Sequence, residues 1–360
     1  MLDVVIEGGM VVDGTNAPAR RADVGVMGDR IAAVGNLTGS EARRVVDAHG
    51  LTVAPGFIDP HVHSEGDLLV NPQHANGVRQ GITTELLGID GMSYAPLSHD
   101  KYLMYRRWLS GLLGEPPEDL DMSSVAAFRS NYDRKVAINT AYLVPNGTMR
   151  LEVVGFVDVP LTGGAMDRAK GLIKEGMEQG AVGFSTGSSY YPGPWTSTDE
   201  LVELCEVVRD AGGVLMSEPR QKNPERAFAG GGVAEAIEIA RRSGVKLHLA
   251  HFRTDPRTAG KVTEHMELVN QAEADGIDIT LDIYPYASGS TIPISFIPSW
   301  AQEGGPDAIL RRLADKTERA KIVEYLEGEL YYHRSLDEVV FSYLPKNAEL
   351  EGMSAPDLAK

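Results

Sequence analysis

The chain has 360 residues, 42% of them hydrophobic and 24% charged, a balance that suits one large globular domain with a smaller companion. Its 34 basic residues against 51 acidic ones leave a formal charge of −17, with no basic excess to displace counterions, so nucleic acid is not expected as a partner. No stretch approaches the roughly 18 uninterrupted apolar residues of a membrane span, and Met1–Gly9 lacks the basic and apolar regions of a secretory signal; the expected location is the cytoplasm.

Residues 1–54 read as a small β-sandwich part. Val4-Val5-Ile6, Val11-Val12, Ala22–Val26 and Arg30–Val34 are β-rich, and Gly8-Gly9, Asp13-Gly14 and Gly28-Asp29 punctuate them with residues that tolerate turn geometry. From residue 55 to residue 360 the texture changes to strand-like runs alternating with helical ones, the pattern of parallel βα units. Seven strands are expected, at Val53–His63, Thr83–Asp90, Val136–Val144, Ala181–Thr186, Val214–Glu218, Lys246–His251 and Asp278–Tyr284. Helical stretches include Met166–Gln179, Thr198–Ala211, Gly232–Ser243 and Val262–Ala274, with further helices around Asp307–Glu329 and an extended run at Asp337–Ser342. The single cysteine, Cys205, excludes an intrachain disulfide and reads as helix packing in Leu201–Val208.

The strongest chemical signal is Pro55-Gly56-Phe57-Ile58-Asp59-Pro60-His61-Val62-His63. On a strand, residues i and i+2 face the same way, so both imidazoles can reach one cation at the strand end where barrel enzymes build their sites. Preceded by the small sheet, this stretch resembles the amidohydrolase superfamily. More narrowly, the chain is similar to the D-aminoacylase (N-acyl-D-amino-acid deacylase) branch. The supporting runs are Gln80-Gly81-Ile82-Thr83-Thr84 with Tyr94-Ala95-Pro96-Leu97, Gly180–Gly187 with Tyr191-Pro192-Gly193, Leu249-Ala250-His251, and Asp282–Thr291, in family order.

The resemblance implies a TIM-like (β/α)8 barrel of about seven strands, a small-molecule substrate bearing a carboxylate, and a divalent metal. His61, His63 and His251 match the family's histidine ligands, whereas His248, an odd number of residues from His251, is expected on the other face of its strand. Two family positions differ. Asp90 stands where a cysteine is usual and Glu218 where a histidine is usual, so both either ligate through oxygen or mark the loss of a second metal. A set of His61, His63, Asp90, Glu218 and His251 favours zinc, manganese or iron held by nitrogen and oxygen, zinc foremost. Arg253 stands where a lysine meets the substrate carboxylate, and Tyr284, Ser290 and Thr291 are expected to touch substrate. Asn146-Gly147-Thr148 with Arg150 fits a further family run without an assignable role.

The family's general base, an aspartate ending the eighth strand, has no counterpart between Asp282, which belongs to the seventh strand, and Lys360. A barrel short of a strand exposes unpaired edges, which leads to the expectation of a second polypeptide completing it, or else of a shortened chain. The expected activity is metal-dependent hydrolysis of an amide-type C–N bond in an N-acyl amino acid. Decarboxylase or retro-aldol cleavage, or a non-catalytic scaffold subunit, are the alternatives.

Overall fold

A computed structural model of the chain describes residues 1–187, 189–254, 259–286, 288–328, 338–344 and 346–360. Ala287, Glu329 and Asp337, which belong to expected elements, lie outside the described residues. The chain forms two compact units, Met1–Ile58 with Gly81–Thr83, and Asp59–Gln80 with Thr84–Lys360.

The first unit holds a sheet of β1 (Leu2–Val11), β2 (Arg20–Met27), β3 (Arg30–Gly35), β4 (Ala42–Asp47) and β5 (Thr52–Val53), in the order β3-β2-β1-β4 with β5 also on β1. The expected separation of Val4–Ile6 from Val11-Val12 does not occur. Val4–Ile6 and Val11 share β1, where the register shifts between Ile6 and Gly9 and Gly8 takes a left-handed φ of 71°. The Gly8 N–H, freed from the ladder, donates to the Asp23 carboxylate at 2.8 Å. Strand β4 was not anticipated, because its Arg43-Arg44 pair masks the β-branched Val45-Val46. It pairs parallel to β1 with most of its side chains exposed.

The larger sheet comprises β6 (Phe57–Asp59), β7 (Ile82–Leu87), β8 (Asn139–Pro145), β9 (Gly183–Thr186), β10 (Val214–Ser217), β11 (Lys246–Leu249) and β12 (Ile279–Leu281). They follow one another in chain order across the sheet, and the pairs from β7 to β12 are parallel. This curled parallel sheet is the seven-strand barrel of TIM type that the sequence led to expect. Each strand is shorter than read from sequence: β6, β7, β10, β11 and β12 stop before the chemically loaded residues at their C-terminal ends, whereas β8 and β9 begin later than expected.

Parallel neighbours require a crossover, and helices supply it. Thr198–Asp210 starts with a capping box between Ser197 and Glu200 and buries Leu201, Leu204, Cys205 and Val208. Strand side chains divide between two faces. Leu215, Leu247, Leu249 and Phe184 join the large helix-covered core, whereas Ile89, Leu143, Met216 and Ala250 form a separate small cluster on the inner face. Beyond β12, the expected helical region contains Gly305–Ala314 and Lys316–Gly328. The run ending at Ser342 adds no described strand to the sheet; Val340 makes an isolated bridge with Ser354. Among the described residues no helix is long and apolar enough to cross a membrane.

Candidate metal centre

The centre is assembled from the segments immediately following β6, β7, β11 and β12. His61 and His63 lie past the end of β6, in irregular backbone held by the His61 N–H donating to Asp59 at 3.0 Å. The i, i+2 spacing therefore works through a bend rather than along a strand, and still turns both rings to one place. Asp90 follows β7 with a left-handed φ of 52°, a conformation that aspartate tolerates better than most residues. Gly187, at the end of β9, packs so closely that a methyl group there would run into the Asp90 carbonyl.

Three imidazoles meet one carboxylate oxygen. The Nε2 atoms of His61, His63 and His251 lie 3.2, 3.3 and 3.5 Å from Asp90 Oδ2. Ligand atoms around a tetrahedral ion with bonds of about 2.0–2.1 Å are roughly 3.3 Å apart, so these spacings are those of a donor set around a small divalent cation. His61, His63 and Asp90 form one group able to hold a metal, and His61, His251 and Asp282 form another. Among the described residues Asp90 Oδ1 is buried without a hydrogen-bond partner, an acceptor left open beside the gathered ring nitrogens. The residues fit a divalent ion.

The electrostatics agree. Burial opposes charge on His61, but the Asp90 and Asp282 carboxylates outweigh it and raise the imidazole to about 10. Burial likewise pushes Asp90 up, and the surrounding histidines reverse it, holding the carboxyl well below the usual range.

Not every expected ligand joins. Glu218, just past β10, belongs to neither group; its carboxylate accepts from Ser189 Oγ at 3.0 Å. Burial and the like charge of Asp90 raise its pKa. Arg253 is exposed, with its guanidinium 5.3 Å from the Tyr284 ring, and that ring packs edge-on against His251 at 5.1 Å. Ser290 is exposed, while its neighbour Thr291 bonds the Tyr190 hydroxyl at 3.0 Å. Asn146, Thr148 and Arg150 are buried in a helix start and bond inward.

Two residues escaped the sequence reading. Asp282, read as a strand residue, accepts from His61 Nδ1 at 2.9 Å and from the His251 N–H at 3.0 Å. His248, expected to face away, reaches Asp282 at 3.0 Å. The parity argument fails because β11 ends at Leu249 and His251 has a φ of 51°, so alternation does not run through to it. The alternation of Thr280 with Asp282 was the available signal.

Comparison with known proteins follows the same line. No protein-family model matches the chain. It is 36% identical to N-acyl-D-glutamate deacylase and 33% identical to D-aminoacylase, both of Alcaligenes xylosoxydans xylosoxydans, over 81% of its own length. It spans 59% and 58% of those relatives. The crystal structure of N-acyl-D-glutamate deacylase from Bordetella bronchiseptica, complexed with zinc and a phosphonate inhibitor that mimics the tetrahedral intermediate, superposes with a TM-score of 0.78. That match has 30% identity and covers 99% of this chain and 67% of the other. The chain belongs to the amidohydrolase superfamily, in its D-aminoacylase branch.

Proposed function

We propose that the chain carries the metal-holding site of a hydrolase that cleaves the amide C–N bond of N-acyl amino acids. The observation behind this reading is the convergence of three imidazole nitrogens on Asp90 Oδ2. His61, His63, His251 and Asp90 would hold the ion, zinc foremost given the nitrogen and oxygen donors and the zinc in the Bordetella relative. When bound there, a divalent ion supplies Lewis acidity, activating water and polarising a carbonyl. Asp90 brings the negative charge that keeps the three imidazoles turned inward. Tyr284 forms a wall against His251, and Arg253 lies on its outer side, where a guanidinium can grip a substrate carboxylate through two parallel hydrogen bonds. Glu218, bonded to Ser189 Oγ, stands beside the ligands as a carboxylate whose pKa is raised by burial and by the charge of Asp90.

A second polypeptide forms no part of this reading, since the relatives carry the corresponding parts in a single chain. The test is metal content together with release of free amine from a panel of N-acyl-D- and N-acyl-L-amino acids. Stoichiometric metal that disappears in His61→Ala supports the centre; a metal-loaded protein that releases no amine from any member of the panel refutes the reaction. For Arg253→Ala, the loss of a charged hydrogen-bonding partner of about 1.5–3 kcal/mol should raise KM roughly 10- to 100-fold and change kcat less.

A further inference from the structure

Asp282 and His248 lie on the inner side of the sheet, and neither has a place in the ligand set proposed above. Thr280 and Asp282 alternate onto one face at the end of β12, and His248 is the cross-strand neighbour of Thr280. His248 uses both ring nitrogens there, Nδ1 against Thr280 Oγ1 at 2.7 Å and Nε2 against Asp282 Oδ2 at 3.0 Å. The same Oδ2 lies 2.9 Å from His61 Nδ1, and Oδ1 accepts the His251 N–H at 3.0 Å. One carboxylate thus touches two of the three histidines through parts of them that face away from Asp90.

We propose that Asp282 is a positioning residue for the metal centre: it holds the proton of His61 on Nδ1, seats His251 through its backbone, and is itself fixed by His248. The inference rests on the metal reading and adds a role to it. It follows from counting donors. A carboxylate offers about four lone-pair directions, and three are taken by His61, His248 and the peptide N–H of His251. His61 presents Nε2 toward Asp90 and Nδ1 toward Asp282, so a single ring can give an ion only one of them. The nitrogen beside His63 and Asp90 has the other ligands around it, which leaves Nδ1–H for Asp282. A carboxylate behind a ligating imidazole fixes the tautomer and ring plane and raises the basicity of the coordinating nitrogen. His248 explains why Asp282 cannot rotate away: its ring is pinned at one end by Thr280 and bonds the carboxylate at the other.

The role is read by zinc affinity, in competition with a chromophoric chelator, and by the proton positions of ¹⁵N-labelled histidine in the zinc-loaded full chain. Asp282→Asn keeps the size but puts an NH2 where two ring nitrogens or a peptide N–H must be accepted, and is expected to weaken zinc binding roughly 10- to 100-fold. His248→Leu removes only the outer donor and is expected to weaken it several-fold, with the far-ultraviolet circular dichroism of wild type. A purely structural His248 would leave zinc affinity unmoved. In wild type the His61 proton is expected on Nδ1. Wild type that binds zinc while Asp282→Asn binds it within twofold, or whose zinc-loaded His61 carries its proton on Nε2, overturns the assignment. Wild type that binds no zinc removes the centre itself and this role with it.

Discussion

A carboxylate buried to 1% exposure needs a positive charge beside it, and Asp90 has three imidazoles that can share one only by holding protons or an ion. An ion held by the three Nε2 atoms and Asp90 would balance that charge without protonating any ring. Asp90→Cys returns the thiolate usual in the family and should keep the site zinc-competent. With cobalt(II) in place of zinc, the variant is expected to show a sulfur-to-metal charge-transfer band that wild type lacks; its absence means that position 90 does not ligate. Lys222 offers a separate residue-scale check. Burial lowers it to about 8, although the Glu218 carboxylate pulls the other way, and its ammonium donates to the Ser189 and Ser295 carbonyls. Its folded value lies below the ordinary 10.5, so between these the unfolded chain binds more protons and stability rises with pH. The burden, at most about 3 kcal/mol, is fully present below pH 8 and relieved as pH climbs to 10.5. Denaturant titrations of wild type and Lys222→Met from pH 7 to pH 10.5 should converge as pH increases, and parallel curves would refute the shift.

At the scale of elements, the loops bearing His63 and Asp90 are tied down by two buried glutamates. Glu85, inside β7, takes the Ser64 hydroxyl on one oxygen and His74 Nε2 on the other at 2.6 Å. Glu65 accepts the Gly88 N–H at 2.9 Å, joining the segment after β6 to the turn that presents Asp90. Both carboxylates follow from short-range sequence neighbours of the ligands, yet nothing in their spacing marks them as partners. Removing Glu85 strands a buried imidazole and a hydroxyl together. Glu85→Ala is expected to cost about 3 kcal/mol by chemical denaturation, and more than Glu152→Ala on the surface, where Lys101 and Ser98 remain solvated. Equal losses would show that the Ser64–Glu85–His74 link is not what holds the loop.

For the molecule as a whole, an ion that binds only the folded chain must stabilise it. At a free zinc concentration 100 times the dissociation constant the gain is about 2.7 kcal/mol. Thermal unfolding should move upward with zinc in wild type and remain unmoved in His61→Ala; an equal rise in both would place the binding elsewhere. The strongly acidic surface, at −17 overall, predisposes the chain to weak cation binding, which is why the His61→Ala control decides the matter.

Strand periodicity and turn residues are local properties, so the seven parallel strands, their order and the helices between them were legible along the chain, as was the placing of His61, His63, Asp90 and His251 just past strand ends. Which atoms meet was not. Glu218 was read as a ligand because it sits where the family's histidine does; what the assembled fold adds is a bond from Ser189 Oγ to one of its carboxylate oxygens. His248 was read as facing outward because alternation was carried past Leu249, where the strand had ended. Asp282 became a member of the site only when β11 and β12 were laid side by side, since its partners lie 34, 31 and 221 residues away. Local pattern encodes which face a strand residue takes. Once the backbone leaves the strand, the direction of each side chain depends on left-handed turns and on neighbours brought in by pairing, and those exist only in the assembled sheet.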